Sequence, residues 1–290
     1  VFNALSGARA PMENYPFCTI DANHAIVPVA DPRLAEIGRI LGKSKPIPTR
    51  IEFLDVAGLV KGASKGEGLG NRFLGHIRAV DAIAHVVRCF HDENVAHVAG
   101  DVDPVRDIEI INTELLLADL EVLDRARDKV IHRAQSGEKP AVVELAEIDA
   151  MRALINEGTL LRAHPELHEA AARYGLITDK PVVYVANVDE SDAGGAAGAA
   201  VSAYAERAGA AYLALSAKVE QEVSELPEAE KQPYLEALGL AESGLARLTR
   251  TAYGLLDLIT FYTAATDLQA WTVRRGTPAP AAAGRIHTDF

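Results

Sequence analysis

The chain has 290 residues, with 29 Lys and Arg against 41 Asp and Glu, a formal net charge of −12 and 49% hydrophobic residues. That composition fits a globular protein with a real core and argues against a broad electrostatic footprint on nucleic acid, so no sequence-specific DNA partner is expected. No apolar run approaches the roughly 18 residues of a membrane span, and Cys18 and Cys89 alone build neither a disulfide framework nor a zinc site.

In chain order, Val1 to Leu5 reads as a short helix, and Ala25 to Val29 and Ile51 to Leu54 as strands. Asn71 to Val80 has a helical pattern, and Asp81 to Phe90 suits a buried strand. From about Thr113 to Gly175 the pattern changes. Leu116, Leu120, Leu123 and Val130 share one helical face, while Leu145, Ile148 and Ile155 share another. Gln135 to Pro140 between them is a turn signal, so an inserted antiparallel helical hairpin is expected. Pro181 to Ala186 and Ala211 to Leu215 are further strands, and Ser191 to Ala200 reads as a Gly/Ala-rich flexible loop. Beyond about Leu258, some 30 residues cannot hold a core of their own. They are either a domain fragment or a tail packed on the body. Strands alternating with helices predict a mostly parallel sheet covered on both faces, with ligands at the carboxyl ends of its strands.

Three motifs fall at such ends. Asp55-Val56-Ala57-Gly58-Leu59 follows an apolar strand, as in the Walker B strand and switch of a P-loop nucleotide hydrolase. There the Asp holds Mg²⁺ and the Gly N–H meets a γ-phosphate. Thr19, upstream, stands where a switch threonine closes on the metal. Asn187-Val188-Asp189-Glu190 and Ser216-Ala217-Lys218 end two further strands, where such enzymes read the base. D-x-x-G alone is common in strand turns; the ordered set of motifs is not. The loop G-x-x-x-x-G-K-[ST] occurs nowhere in these residues. Gly62, Gly66, Gly68 and Gly70 carry no G-x-G-x-x-G and read as a mobile switch loop rather than a dinucleotide fingerprint. Lys61 and Lys65 read as solvated charges. Asp101, Asp103, Asp107 and Glu109 fit a capped helix start at Pro104 better than a metal cluster.

Tyr15-Pro16-Phe17-x-Thr19-Ile20, Asp55-x-Ala57-Gly58-Leu59-Val60-x-Gly62-Ala63, Gly66-x-Gly68-Leu69-Gly70-Asn71 and Trp271 to Thr277 together resemble the YchF subfamily of Obg-like ATPases. The resemblance runs from Val1 to Phe290. It implies an α/β P-loop NTPase with a Ras-like parallel sheet, an inserted α-helical coiled-coil hairpin and the start of a C-terminal β-grasp TGS domain. The boundaries it implies are 1–112 with 176–257 for the nucleotide-binding domain, 113–175 for the hairpin and 258–290 for the partial TGS domain. The missing phosphate loop and the incomplete TGS portion imply a chain truncated at both ends, lacking its first strand, with the loop supplied by coding sequence upstream.

The function implied is a cytoplasmic, ribosome-associated ATPase that uses Mg²⁺, held through Thr19 and Asp55. Guanine readers use N-K-x-D; here Val188 replaces the Lys and Glu190 the Asp. The longer Glu misplaces its acceptors, so ATP is expected over GTP by about 10²–10⁴-fold. The adenine would rest near Asn187, Val188, Ser216, Ala217 and Lys218, with Glu190 either on the base or in solvent. Leu59 stands where Ras-like enzymes carry a water-orienting Gln and cannot do that work. By resemblance His97 supplies it, the alternative being an idle surface-loop histidine; Gly58 keeps its γ-phosphate role. Two rival readings remain: a non-catalytic ribosome- or protein-binding fragment, and a GTPase.

Overall fold

In the computed structural model, which describes residues 1–6, 23–56, 69–92, 101–192 and 195–287, the strands fall into three sheets. The chain runs through α1 (Phe2–Ser6), β1 (Asn23–Pro28), α2 (Pro32–Leu41) and β2 (Arg50–Asp55). Then come α3 (Leu69–Ala79), β3 (Ile83–Arg88), α4 (Pro104–Gln135), α5 (Lys139–Asn156) and α6 (His168–Arg173). Next are β4 (Val182–Asn187), α7 (Ala199–Arg207), β5 (Ala211–Leu215), α8 (Ala217–Glu225), α9 (Glu228–Ala237) and α10 (Gly244–Leu255). The hairpin β6 (Leu258–Ala264) and β7 (Leu268–Arg274), then α11 (Ala279–Ala283), follow.

Among the described strands, β3, β4 and β5 form a parallel sheet with β4 central. Val182 to Ala186 form an unbroken apolar run because both faces of β4 are covered. On one face Tyr184 and Ala186 pack with Val201 and Ala205 of α7 and Ile108 of α4. On the other, Val183 and Val185 pack with Leu248 of α10 and Phe53 of β2. β1 and β2 form a separate antiparallel pair, Asn23 opposite Asp55. The chain reverses between them through α2. Asp31 caps that helix ahead of Pro32, and Gly42 ends it with φ 64°.

α4 starts nine residues ahead of the expected hairpin boundary, where Asp103 accepts from the Arg106 N–H at 3.1 Å. Its outer part pairs with α5 through Leu123 and Val130 against Ala141, Ile148 and Met151. Asp119 of α4 is fully buried. Its carboxylate accepts from the N–H groups of Ile177 (2.9 Å) and Thr178 (2.7 Å) and from the Thr178 hydroxyl (2.8 Å). The hairpin root is thereby fastened to the segment that leads into β4. Burial outweighs those hydrogen bonds and pushes the Asp119 pKa up.

The last strands are packed on the body. Tyr262, Leu268 and Ala270 cover Leu34 and Ile37 of α2. The Ile47 N–H donates to the Leu268 carbonyl at 2.8 Å, and the Ala270 N–H to the Ile47 carbonyl at 2.9 Å, so residue 47 extends the hairpin's edge. Lys43 Nζ donates to the carbonyls of Ala265 and Thr266 at 3.3 and 2.8 Å. The expected loop at 191–200 is instead short 3₁₀ turns at Glu190–Asp192 and Ala196–Gly198, and α7 begins at Ala199. Asp192 holds the second turn by accepting from the N–H groups of Ala196 and Ala197.

His85 of β3 lies against the Tyr184 ring at 5.5 Å between centroids. Burial, then Arg162, hold its pKa down to about 4 from 6.5. Between those values the unfolded chain binds the extra proton, so stability falls as pH falls through that window. Urea unfolding at pH 7 and pH 5 should show the parent losing about 1–2 kcal/mol more than His85→Gln. Equal losses would sink this reading.

Candidate functional site

The carboxyl ends of β4 and β5 meet at one corner. Asn187 and Leu215 are register partners, and Asn187 Oδ1 accepts from the Ala217 N–H at 3.0 Å. The Cys89 N–H donates to the Asn187 carbonyl at 2.8 Å, and the Val188 N–H to the Leu215 carbonyl at 2.9 Å. Asn187 is thus braced from both neighbouring strand ends, with its side chain tying the two base-reading motifs together.

The surrounding side chains depart from a guanine-reading arrangement. Val188 is only 2% exposed and packs inward with Cys89 and Ala214. An apolar residue at this position buries itself and leaves its backbone as the part a ligand would meet. Glu190 pairs with Lys218, Oε2 to Nζ at 2.6 Å, so the two motifs are also joined by charge. Glu190 raises the Lys218 pKa. The pair is largely exposed and contributes little to stability. Asp189 accepts from the Ser191 N–H (2.9 Å) and hydroxyl (2.6 Å), which hold its pKa down and close the turn. Ser216 is buried and caps α8, its Oγ accepting from the Val219 N–H at 3.5 Å.

Glu220 was not singled out by the sequence. It is 2% exposed and accepts from the N–H groups of Gly244 (2.6 Å) and Leu245 (3.2 Å), clamping α8 to the start of α10. A Cβ on Gly244 would lie 2.5 Å from Leu215 Cβ, so glycine alone permits the approach. A lone Glu one turn after Ser216 gave no local signal of this role, because its partners lie 24 and 25 residues away.

Asp55 ends β2. Burial pushes its pKa up, against the chain's amino group and a hydrogen bond from Asn23. Among the described residues no Lys or Arg side chain pairs with it. The next residue, Val56, packs against the cluster of Leu74 and Ile77 from α3 with Leu115 from α4. Thr19, Gly58, Leu59 and His97 lie outside the described residues. Among the described residues no group of three or more His, Cys, Asp or Glu is placed to hold a metal, and no helix is long and apolar enough to cross a membrane. Cys89 is buried, its thiol pushed up to about 11.

A family model described as 50S ribosome-binding GTPase matches residues 1–119, and a YchF GTPase C-terminal model, described as a protein of unknown function (DUF933), matches residues 258–290. The chain is 45% identical to the ribosome-binding ATPase YchF of Bacillus subtilis, covering all of this chain and 81% of that protein. It is 38% identical to Obg-like ATPase 1 of Rattus norvegicus, covering all of this chain and 76% of the relative. The solved Schizosaccharomyces pombe YchF GTPase superposes with a TM-score of 0.84 at 34% identity, over 99% of this chain and 80% of that one.

Proposed function

We propose, since this chain belongs to the YchF family of P-loop nucleotide hydrolases, that it is a ribosome-associated switch that binds and hydrolyses ATP in preference to GTP. The observation that carries the base preference is the corner at the ends of β4 and β5. Asn187 holds the Ala217 N–H, Val188 points inward and Glu190 is engaged by Lys218. The Glu190 carboxylate, at the position where a guanine reader's Asp accepts from the ring N–H and amino group, is already paired with Lys218. Adenine asks for less: its amino group needs an oxygen acceptor, and its N1 would be repelled by a carboxylate.

Asp55 suits the Mg²⁺ the family implies. It is a carboxylate at a strand end, its pKa raised by desolvation, and without a Lys or Arg partner among the described residues. Asp55 and Thr19 would hold the ion, which when bound supplies charge neutralisation at the phosphates. Gly58 would donate its N–H to the γ-phosphate. His97 would orient or deprotonate the attacking water, a task Leu59 cannot perform.

The domain division proposed is 1–112 with 176–257 for nucleotide, 113–175 for the helical hairpin and 258–290 for the C-terminal region. Ribosome association rests on the names of the relatives, with rRNA or ribosomal proteins as the contact. The test is paired titration of fluorescent ATP and GTP with Mg²⁺, on this chain and on one carrying the upstream coding sequence. ATP binding at least about 10²-fold tighter than GTP in the longer form is expected. Equal affinities would favour the GTPase reading, and no binding in either form the non-catalytic one.

A further inference from the structure

Residues 33–50, which form most of the connection between β1 and β2, hold five Lys or Arg and a single Glu, in a chain whose formal net charge is −12. Arg33 is engaged by Asp31 and Arg39 by Glu36. Lys43 sits on backbone carbonyls with no carboxylate partner among the described residues. Lys45 and Arg50 are exposed and make no ion pair among the described residues. Beside them three large apolar side chains face solvent: Ile40 at 66%, Leu41 at 48% and Ile47 at 38% exposure.

We propose that this ledge, Lys43, Lys45 and Arg50 with Ile40, Leu41 and Ile47, docks the phosphate–ribose backbone of an RNA. Cationic side chains neutralise phosphates, and apolar ones pack against ribose and splayed bases. The remainder of the chain is net acidic, which disfavours non-specific contact with a polyanion elsewhere. The ledge is also preformed: the Ile47 backbone is bonded on both sides to β7, and Gly38 admits the Lys43 carbonyl and Leu268 at close range. Little ordering cost is left for binding. An RNA seated there bears on the segment joining β1, which follows Thr19, to β2, which ends in Asp55. The inference deepens the ribosome reading and rests on it for the source of the RNA.

The test uses the chain with its upstream coding sequence and a fluorescein-labelled, mixed-sequence RNA stem-loop, read by anisotropy across a KCl series. Lys45→Glu with Arg50→Glu should weaken binding about tenfold or more and reduce the log–log salt slope by about 2, one phosphate contact per residue. The control, Arg125→Glu with Lys129→Glu on the exposed side of α4, removes the same charge and should leave both nearly unchanged. Lys43 stays intact because it anchors the C-terminal hairpin. ATP affinity, read separately, should not move in the ledge variant. Parental RNA binding by the ledge variant overturns the proposal, as does equal weakening in the control. Loss of ribosome co-sedimentation with RNA binding intact would assign the ledge to a protein and overturn it as well. A parent that binds RNA through the ledge yet does not sediment with ribosomes supports the ledge and sinks the ribosome reading alone.

Discussion

Asp55→Asn, in the protein carrying its upstream coding sequence, is expected to lower ATP hydrolysis about 10²–10³-fold while weakening ATP binding far less. The Asp55 carboxylate is partly desolvated at the end of β2, and its pKa is raised accordingly. The amide is nearly isosteric, so the strand pair from Asn23 to Asp55 should persist. What disappears is a formal charge that would help hold Mg²⁺ where charge develops during phosphoryl transfer. Single-turnover hydrolysis with and without Mg²⁺ separates the two effects. If the variant hydrolyses at the parental rate, Asp55 has no part in the metal site.

The second large effect concerns the base corner. Asn187→Ala removes the acceptor for the Ala217 N–H and unties β4 from the start of α8. An unpaired donor in a partly buried position costs about 1–3 kcal/mol, which corresponds to a loss of roughly 5–150-fold in ATP affinity if the corner carries the base. Isothermal titration should show that loss, with the thermal midpoint shifting by only a few degrees. A large midpoint shift with unchanged affinity would mark Asn187 as a purely structural tie.

The fold's repeating parts were legible wherever the signal is local. Val182 to Ala186 are uniformly apolar because β4 is covered on both faces, and the hairpin heptads follow from Leu123, Val130 and Ile148 meeting in one core. Asp103 and Pro104 announced the start of α4 through cap chemistry alone. α4 begins at Pro104, ahead of the expected hairpin boundary at 113, because its first turns pack on the parallel sheet through Ile108, and their periodicity does not change at the root. At the site, the identities of Asn187, Glu190, Ser216 and Lys218 were readable. Their orientations were not. Nothing in Asn-Val-Asp-Glu says that Val188 turns inward, since that depends on the space left by Cys89 and Ala214. The ion pair between Glu190 and Lys218, and the Asp119 and Glu220 clamps, join residues 24 to 59 positions apart. One-dimensional patterning carries no trace of such pairs.

The seating of the β6–β7 hairpin on α2 has a consequence for biogenesis. Thr266 is made 223 residues after Lys43, and both belong to one packed unit. At a synthesis rate of about 5–20 residues per second, the apolar face of α2 emerges about 11–45 s before its cover exists. During that interval Leu34 and Ile37 are open on the nascent chain. A chaperone that shields amphipathic helices would find its target in α2 during that interval.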